Sequence, residues 1–390
     1  MTTGLYIHIP FCQSRCIYCD FYSTTHISQQ ARYVDCLLRE MDSRRDEWQQ
    51  LTKEAGEQEK TCARTLLSIY IGGGTPSTLP PSLLEHLLQQ TALRFAPEAG
   101  TEITLEANPD DVTPAWTEAL RTTPVNRVSM GVQTFDDAAL KTLGRRHTAG
   151  QAREAVRRLR EAGYENLSLD LIYGLPGQDL EAWKRNVEEA VALGVPHVSA
   201  YSLMFEEGTP LTRMREEGKV REMDDETSWQ CYEWLCRRLR EAGYEHYEIS
   251  NFALPGYHSR HNSGYWDGTP YLGYGAGAHS YDGKRQRRGN LPALMQYMER
   301  VEGGSEDYYE TETLSDDDLY NEFVMTRLRT AQGFMPEELE RRFGTRVLHY
   351  CQKMMIPHLQ QGNLIQRGNR VCLSEKGIFV SNEVISDLFR

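Results

Sequence analysis

Leu5-Tyr6-Ile7-His8-Ile9-Pro10-Phe11-Cys12-Gln13-Ser14-Arg15-Cys16-Ile17-Tyr18-Cys19 is the stretch on which the fold of this chain turns. Leu5 to Ile9 is apolar and partly β-branched, a strand signal. It runs straight into Pro10, so the cysteines that follow lie on a loop leaving a strand. Three thiols at Cys12-x3-Cys16-x2-Cys19 suit a metal centre. Most iron–sulfur clusters take one cysteine per iron, so three ligands leave one iron open. A structural zinc site with a distant fourth ligand, or three unrelated thiols, are the other readings. Zinc sites usually pair one C-x2-4-C with a second, and no second pair is visible.

Outward from this loop, short apolar runs alternate with helical patterns to about residue 205. Leu66 to Ile71, Glu102 to Ala107, Arg127 to Val132, Leu167 to Tyr173 and Val198 to Leu203 read as further strands. Gln29 to Lys60, Pro81 to Arg94, Thr113 to Arg121 and Leu180 to Leu193 read as helices between them. After Gly150, Ala152, Ala155, Val156, Leu159 and Ala162 follow the helical period until Gly163. Strands each followed by a helix imply parallel βαβ units, here six, curling toward a barrel. Functional loops then belong at the carboxyl ends of the strands. Residues 244–290 are rich in Gly, Tyr, His and Asn, with turn signals and no long period. From about 310 the pattern is helices, short strands near Leu364 and Val371, and a last helix. The expected class is α/β, a partial (β/α)6 barrel with a C-terminal, mostly helical, winged-helix-like module. The expected divisions are 1–205 for the core, 206–309 for a barrel extension and 310–390 for the terminal module.

Composition narrows the function. Forty-three Lys and Arg against 56 Asp and Glu leave a net charge of −13, which argues against a general nucleic-acid binder. Nine cysteines are an odd and uneven set, a poor disulfide framework. Cys36, Cys62, Cys231, Cys236, Cys351 and Cys372 are scattered. No secretory signal is evident, and no stretch reaches ~18 apolar residues. A reduced, cytoplasmic compartment is expected, where clustered cysteines mean metal or redox chemistry.

Gly72-Gly73-Gly74-Thr75-Pro76 follows the second strand. It reads either as a tight turn or as backbone brought close to a ligand. Glu106 ends strand three, Gln133 strand four, and Asp170 lies in strand five. Polar groups there are costly unless paired or ligand-bound. Several at one end of the sheet favour a site, and Arg145 could bring a charge near carboxylates.

The cysteine loop after a first barrel strand, with Tyr18 before the third cysteine, resembles the signature of the radical S-adenosylmethionine (SAM) superfamily. The resemblance implies a [4Fe-4S] cluster on Cys12, Cys16 and Cys19, whose open iron chelates SAM. Tyr6 to Cys12, Gly72 to Pro76, Gly131-Val132-Gln133 and Asp170 to Gly177 further resemble the oxygen-independent coproporphyrinogen III oxidase family. By that resemblance Tyr6 and Tyr18 line the SAM site, and Gly73, Gly74, Thr75 and Glu106 bind SAM. Gln133, Arg145 and Asp170 contact the adenosyl portion or a second SAM, and Ala200 and the Gly277-Ala278 stretch lie at its edge.

The family has two branches. The dehydrogenase carries a fourth cysteine, C-x3-C-x2-C-x-C, where this chain has Phe21, and a longer segment ahead of its cluster. A haem-chaperone branch is similar to this chain at Tyr247 to Ala253, Gly273 to Ser280 and His261-Asn262-Ser263-Gly264-Tyr265-Trp266. The last of these, H-N-x-x-Y-W, marks that branch. His261 beside two large aromatics is a reasonable haem contact. The expectation is a chaperone that binds haem near residues 257–281 and passes it to haemoprotein clients, on a scaffold without coproporphyrinogen III dehydrogenase activity. The rival is that dehydrogenase; a radical-SAM enzyme acting on another substrate is the third reading. Lys284-Arg285-Gln286-Arg287-Arg288 is the one basic run, read as a solvated hairpin before an attractor of haem propionates or a membrane surface. Peripheral membrane association and a homodimer stay open.

Overall fold

In a computed structural model, residues 2–53 and 65–390 are described. Cys62 and the far end of the Gln29–Lys60 segment fall outside them. The six expected strands form as β1 (Thr2–Ile9), β2 (Thr65–Gly73), β3 (Glu102–Ala107), β4 (Arg127–Gln133), β5 (Leu167–Tyr173) and β6 (His197–Ser202). They lie side by side in sequence order, all parallel. Helices Pro81–Phe95, Pro114–Arg121, Ala149–Glu161 and Leu180–Leu193 return the chain between them. Local chemistry sets their starts. Thr113 accepts from the Trp116 amide ahead of Pro114, and Thr148 and Gln151 form a reciprocal capping box.

The glycine- and tyrosine-rich segment after residue 244 is more ordered than its turn signals suggest. It supplies β7 (Glu245–Glu248), β8 (Asn251–Ala253), β9 (Tyr271–Tyr274), β10 (His279–Tyr281) and β11 (Gln286–Asn290), followed by β12 (Tyr309–Thr313). β8 and β7 extend the sheet beyond β6, while β9 to β12 extend it beyond β1, giving twelve strands among the described residues. These strands are three to five residues long, too short to show a period-2 pattern in sequence.

The six-strand wall is apolar outside and polar inside. Leu5, Ile7, Ile9, Ile71, Leu105, Val128, Met130, Leu169, Leu171 and Val198 face the helices in one large core. Side chains alternate across a strand, so their neighbours face the barrel interior. A second core, around Tyr320, Phe323, Phe334, Leu339, Cys351 and Leu373, belongs to the C-terminal helices and the hairpin β13 (Leu364–Arg367) and β14 (Arg370–Leu373). Among the described residues no helix is long and apolar enough to cross a membrane.

Candidate cofactor site

The inward positions converge on a cavity of about 770 Å³ at the carboxyl ends of the strands. Tyr6 and His8 come from β1, Tyr70 from β2, Glu106 from β3, Ser129 and Gln133 from β4, Asp170 from β5, and Ser199 and Tyr201 from β6. Cys12, Cys16, Cys19, Tyr18, Gly73, Gly74, Thr75 and Arg145 line the same space. Ala200 does not, because it falls on the outward parity between Ser199 and Tyr201 and packs in the core. His261 does not line it either.

The cysteine loop is pinned from several sides. The Cys12 amide donates to the Thr24 carbonyl (2.9 Å), the Ile17 amide to Leu143 (3.1 Å), and the Leu211 amide to Ile17 (2.9 Å). The Cys12 thiol lies 3.5 Å from Thr75 Oγ1, and Arg145 donates to the Cys16 sulfur at 3.5 Å. Arg145 also donates to Asn108 and to the Gly131 carbonyl, so its charge serves a cysteine more than the carboxylates. The glycine run is needed for steric reasons. A Cβ on Gly74 would meet the Pro10 carbonyl carbon at 2.8 Å, and one on Gly73 (φ +118°) the His8 ring at 2.7 Å.

These residues fit a [4Fe-4S] cluster. Among the described residues no group of three or more His, Cys, Asp or Glu is gathered closely enough to hold a single metal ion. A cluster instead takes each thiolate on a different iron. Burial pushes the Cys12 and Cys19 thiols up, so thiolates persist there only beside positive charge such as cluster iron and Arg145.

Glu106 is held from two directions. Tyr70 donates to Oε1 at 2.6 Å and the Gly73 amide to Oε2 at 3.1 Å. Burial raises its pKa to about 7, against the pull of the Tyr70 bond, and burial raises Asp170 to about 6. An unfolded chain releases these protons at about 4.5 and 3.8. Between those values these two carboxyls keep protons in the folded cluster-free chain that the unfolded chain has released, so their contribution to stability falls as pH rises from about 4 to 7. Glu106→Gln should remove its share of that fall, so that stability changes more favourably with rising pH between about pH 4.5 and 7 than in the wild-type chain in denaturant titrations. An unchanged slope would refute it.

Gln133 adopts φ +68° next to an irregularity in the β4–β5 register. Its side-chain amide makes no hydrogen bond to the described chain and faces the cavity. Left-handed backbone costs an L-residue roughly 1–2 kcal/mol, a strain of the kind that gathers at ligand sites. Gln133→Gly should therefore stabilise the cluster-free chain by about 1 kcal/mol while weakening SAM binding. Denaturation and SAM titration of the same variant test both halves.

The H-N-x-x-Y-W motif divides. Asn262 and Tyr265 line the cavity, while His261 sits behind them, 4% exposed. Its Nδ1 is 2.8 Å from Ser68 Oγ and its Nε2 is 3.0 Å from the Tyr265 hydroxyl. Both nitrogens are thus engaged, and burial lowers its pKa to about 3. The glutamate at 102 caps the motif helix through the Arg260 and His261 amides. The proposed haem contact is corrected accordingly: as placed, His261 offers iron no free nitrogen. The basic run is largely neutralised within the fold, since Arg285 pairs with Asp316, Arg287 with Glu322 and Arg288 with Glu47.

Residues missed in the sequence include His8, Tyr70, Ser129, Ser199, Tyr201 and Arg127. Arg127 lines the cavity at 1% exposure, with Nε unpartnered. The readable signal was parity, because each lies an even number of positions from another inward polar or aromatic residue on its strand. Phe21, in the place of the fourth cysteine, is 68% exposed on the cavity wall.

Residues 6–190 match the family model described as Radical SAM superfamily, and 314–380 the HemN C-terminal domain. The chain is 37% identical over 381 residues to "Heme chaperone HemW" of Lactococcus lactis subsp. lactis, spanning 97% of this chain and 95% of that protein. It is 35% identical over 389 residues to the protein of the same name from Mycobacterium tuberculosis, spanning 99% and 94%. The structure of coproporphyrinogen III oxidase (HemN) from Escherichia coli superposes with a TM-score of 0.82 at 21% identity, over 100% of this chain and 90% of that one, a likeness of fold. The chain belongs to the radical SAM superfamily and, within it, to the family of proteins named heme chaperone HemW.

Proposed function

We propose that this chain binds haem and delivers it to haemoprotein clients in the cytoplasm, on a radical-SAM scaffold. The observation that carries the reading is identity of 37% over 97% of the chain to a protein named as a haem chaperone. Phe21 in place of a fourth cysteine, and Asn262 and Tyr265 on the cavity wall, support it. The eight described cysteines are free, as a reducing compartment requires.

In this reading Cys12, Cys16 and Cys19 hold the [4Fe-4S] cluster, which when bound supplies an electron and an open iron for SAM. Arg145 offsets thiolate charge at Cys16. Glu106, oriented by Tyr70 and the Gly73 amide, offers a carboxylate near neutrality to the amino end of SAM. Gln133 and Asp170 face the adenosyl portion. Tyr6, Tyr18 and Tyr265 restrict water.

The deciding experiment uses anaerobically reconstituted chain with reductant and SAM, offered coproporphyrinogen III and, separately, haem. Haem binding and transfer to an apo-haemoprotein, without protoporphyrinogen formation, is expected. Protoporphyrinogen at enzyme-like rates would replace the chaperone by the dehydrogenase.

A further inference from the structure

Haem iron needs an axial donor with a free lone pair, and imidazole is a common one. Two imidazoles line the cavity, those of His8 and His279. His8 is committed: its Nδ1 lies 2.9 Å from the Tyr6 hydroxyl and its Nε2 3.1 Å from the Tyr22 carbonyl. His261 is committed as well, to Ser68 and Tyr265 behind the wall. His279 is exposed to the cavity and makes no hydrogen bond to any described residue.

The position of His279 is built. It stands on β10, opposite Gly289 of β11 in the ladder. A Cβ on Gly289 would come within 3.0 Å of the His279 Cε1 and 3.1 Å of Nδ1, but 3.8 Å of Nε2. The ring therefore lies across a strand position that only glycine leaves clear, with Nε2 as the atom farther from that strand. Tyr22 and Tyr271 line the same cavity and offer aromatic faces for a macrocycle.

We propose that His279 is the axial ligand to haem iron in this chain, with Nε2 as the coordinating atom. The proposal rests on the haem-binding reading above and assigns its metal contact. It also separates two parts of the sequence, since His261 then supports the wall through Tyr265 and does not touch iron.

The test is haem titration of the cluster-loaded full chain, read by Soret absorption and electron paramagnetic resonance. His279→Ala should weaken haem binding on the order of tenfold or more and alter the axial-ligand signature, with iron–sulfur content and SAM affinity kept. His279→Met should yield a different signature, because a thioether replaces the imidazole. Added imidazole should restore a bis- or mono-imidazole spectrum to His279→Gly, which excludes a folding defect. His261→Ala should keep the wild-type signature. A wild-type spectrum and affinity in His279→Ala would overturn the assignment while leaving haem binding intact. Absence of haem binding by the wild-type chain would overturn the haem reading itself.

Discussion

Replacing Cys12 by alanine should empty the cluster site. Reconstituted wild-type chain is expected to carry about four irons and four sulfides, and Cys12→Ala, Cys16→Ala and Cys19→Ala close to none. The physical reason is that the loop offers three thiolates, one for each of three irons, and losing any one leaves a second iron without its protein ligand. Cys231 and Cys236 are buried in the helix Asp225–Glu241 and belong to the core. Cys236→Ala is therefore expected to keep the full iron and sulfide content. SAM affinity should fall with the cluster in the three loop variants. A loop variant that retained its iron would overturn the ligand assignment.

Glu40→Ala should destabilise the chain by about 3–5 kcal/mol, because it leaves the buried Arg44 with only the half-exposed Glu47 as an ion partner and strips three buried donors of their acceptor. Glu40 is fully buried and Arg44, one helical turn later, is 3% exposed, with 2.9 Å between Arg44 Nη1 and Glu40 Oε1 and a second pair, at 2.8 Å, from Arg44 Nη2 to the more exposed Glu47. Glu40 also accepts from the Gly275 amide (2.8 Å), Asn290 Nδ2 (2.7 Å) and the Tyr297 hydroxyl (2.6 Å). Arg44 donates in turn to the Gly273 carbonyl (2.6 Å) and to Ser280 Oγ (3.0 Å). One ion pair on the first long helix thus ties down both ends of the β9–β10 connection. Losing it removes support from the strand that carries His279, so haem binding should weaken along with stability. Removing both charges in Glu40→Ala/Arg44→Ala should cost less than the sum of the single losses, since no lone buried charge remains. Denaturant titration of the four proteins of this cycle measures the coupling. Additive losses would mean the pair is not the organising element.

The parallel core was legible because its signals are local. A β-branched run ending at Pro10, a cysteine triplet of fixed spacing and a glycine run after a strand each sit within a few residues. Candidates that sat on inward positions of those strands, such as Tyr6, Glu106 and Asp170, meet in the cavity. Ala200 was expected at the edge of the site, but its side chain packs in the core, since one residue is enough to turn a side chain through the sheet. His261 was chosen for its motif, yet its ring is fully used by Ser68 and Tyr265, contacts that span 193 and four positions. The wall formed by residues 244–290 was read as turns because strands of three to five residues carry too little pattern.

By itself the sequence determined the class of the scaffold, the loop that carries the cysteine triplet and the family. Those depend on residue types at short fixed spacings, which chain geometry turns directly into a loop at a strand end. Only the tertiary structure decided which histidine has a nitrogen to offer and which carboxyls sit near neutrality. It also decided that the basic run is spent on ion pairs and that Glu40 and Arg44 anchor the far wall. Each of these depends on partners brought together from distant parts of the chain, where burial and hydrogen bonding set what a side chain can do.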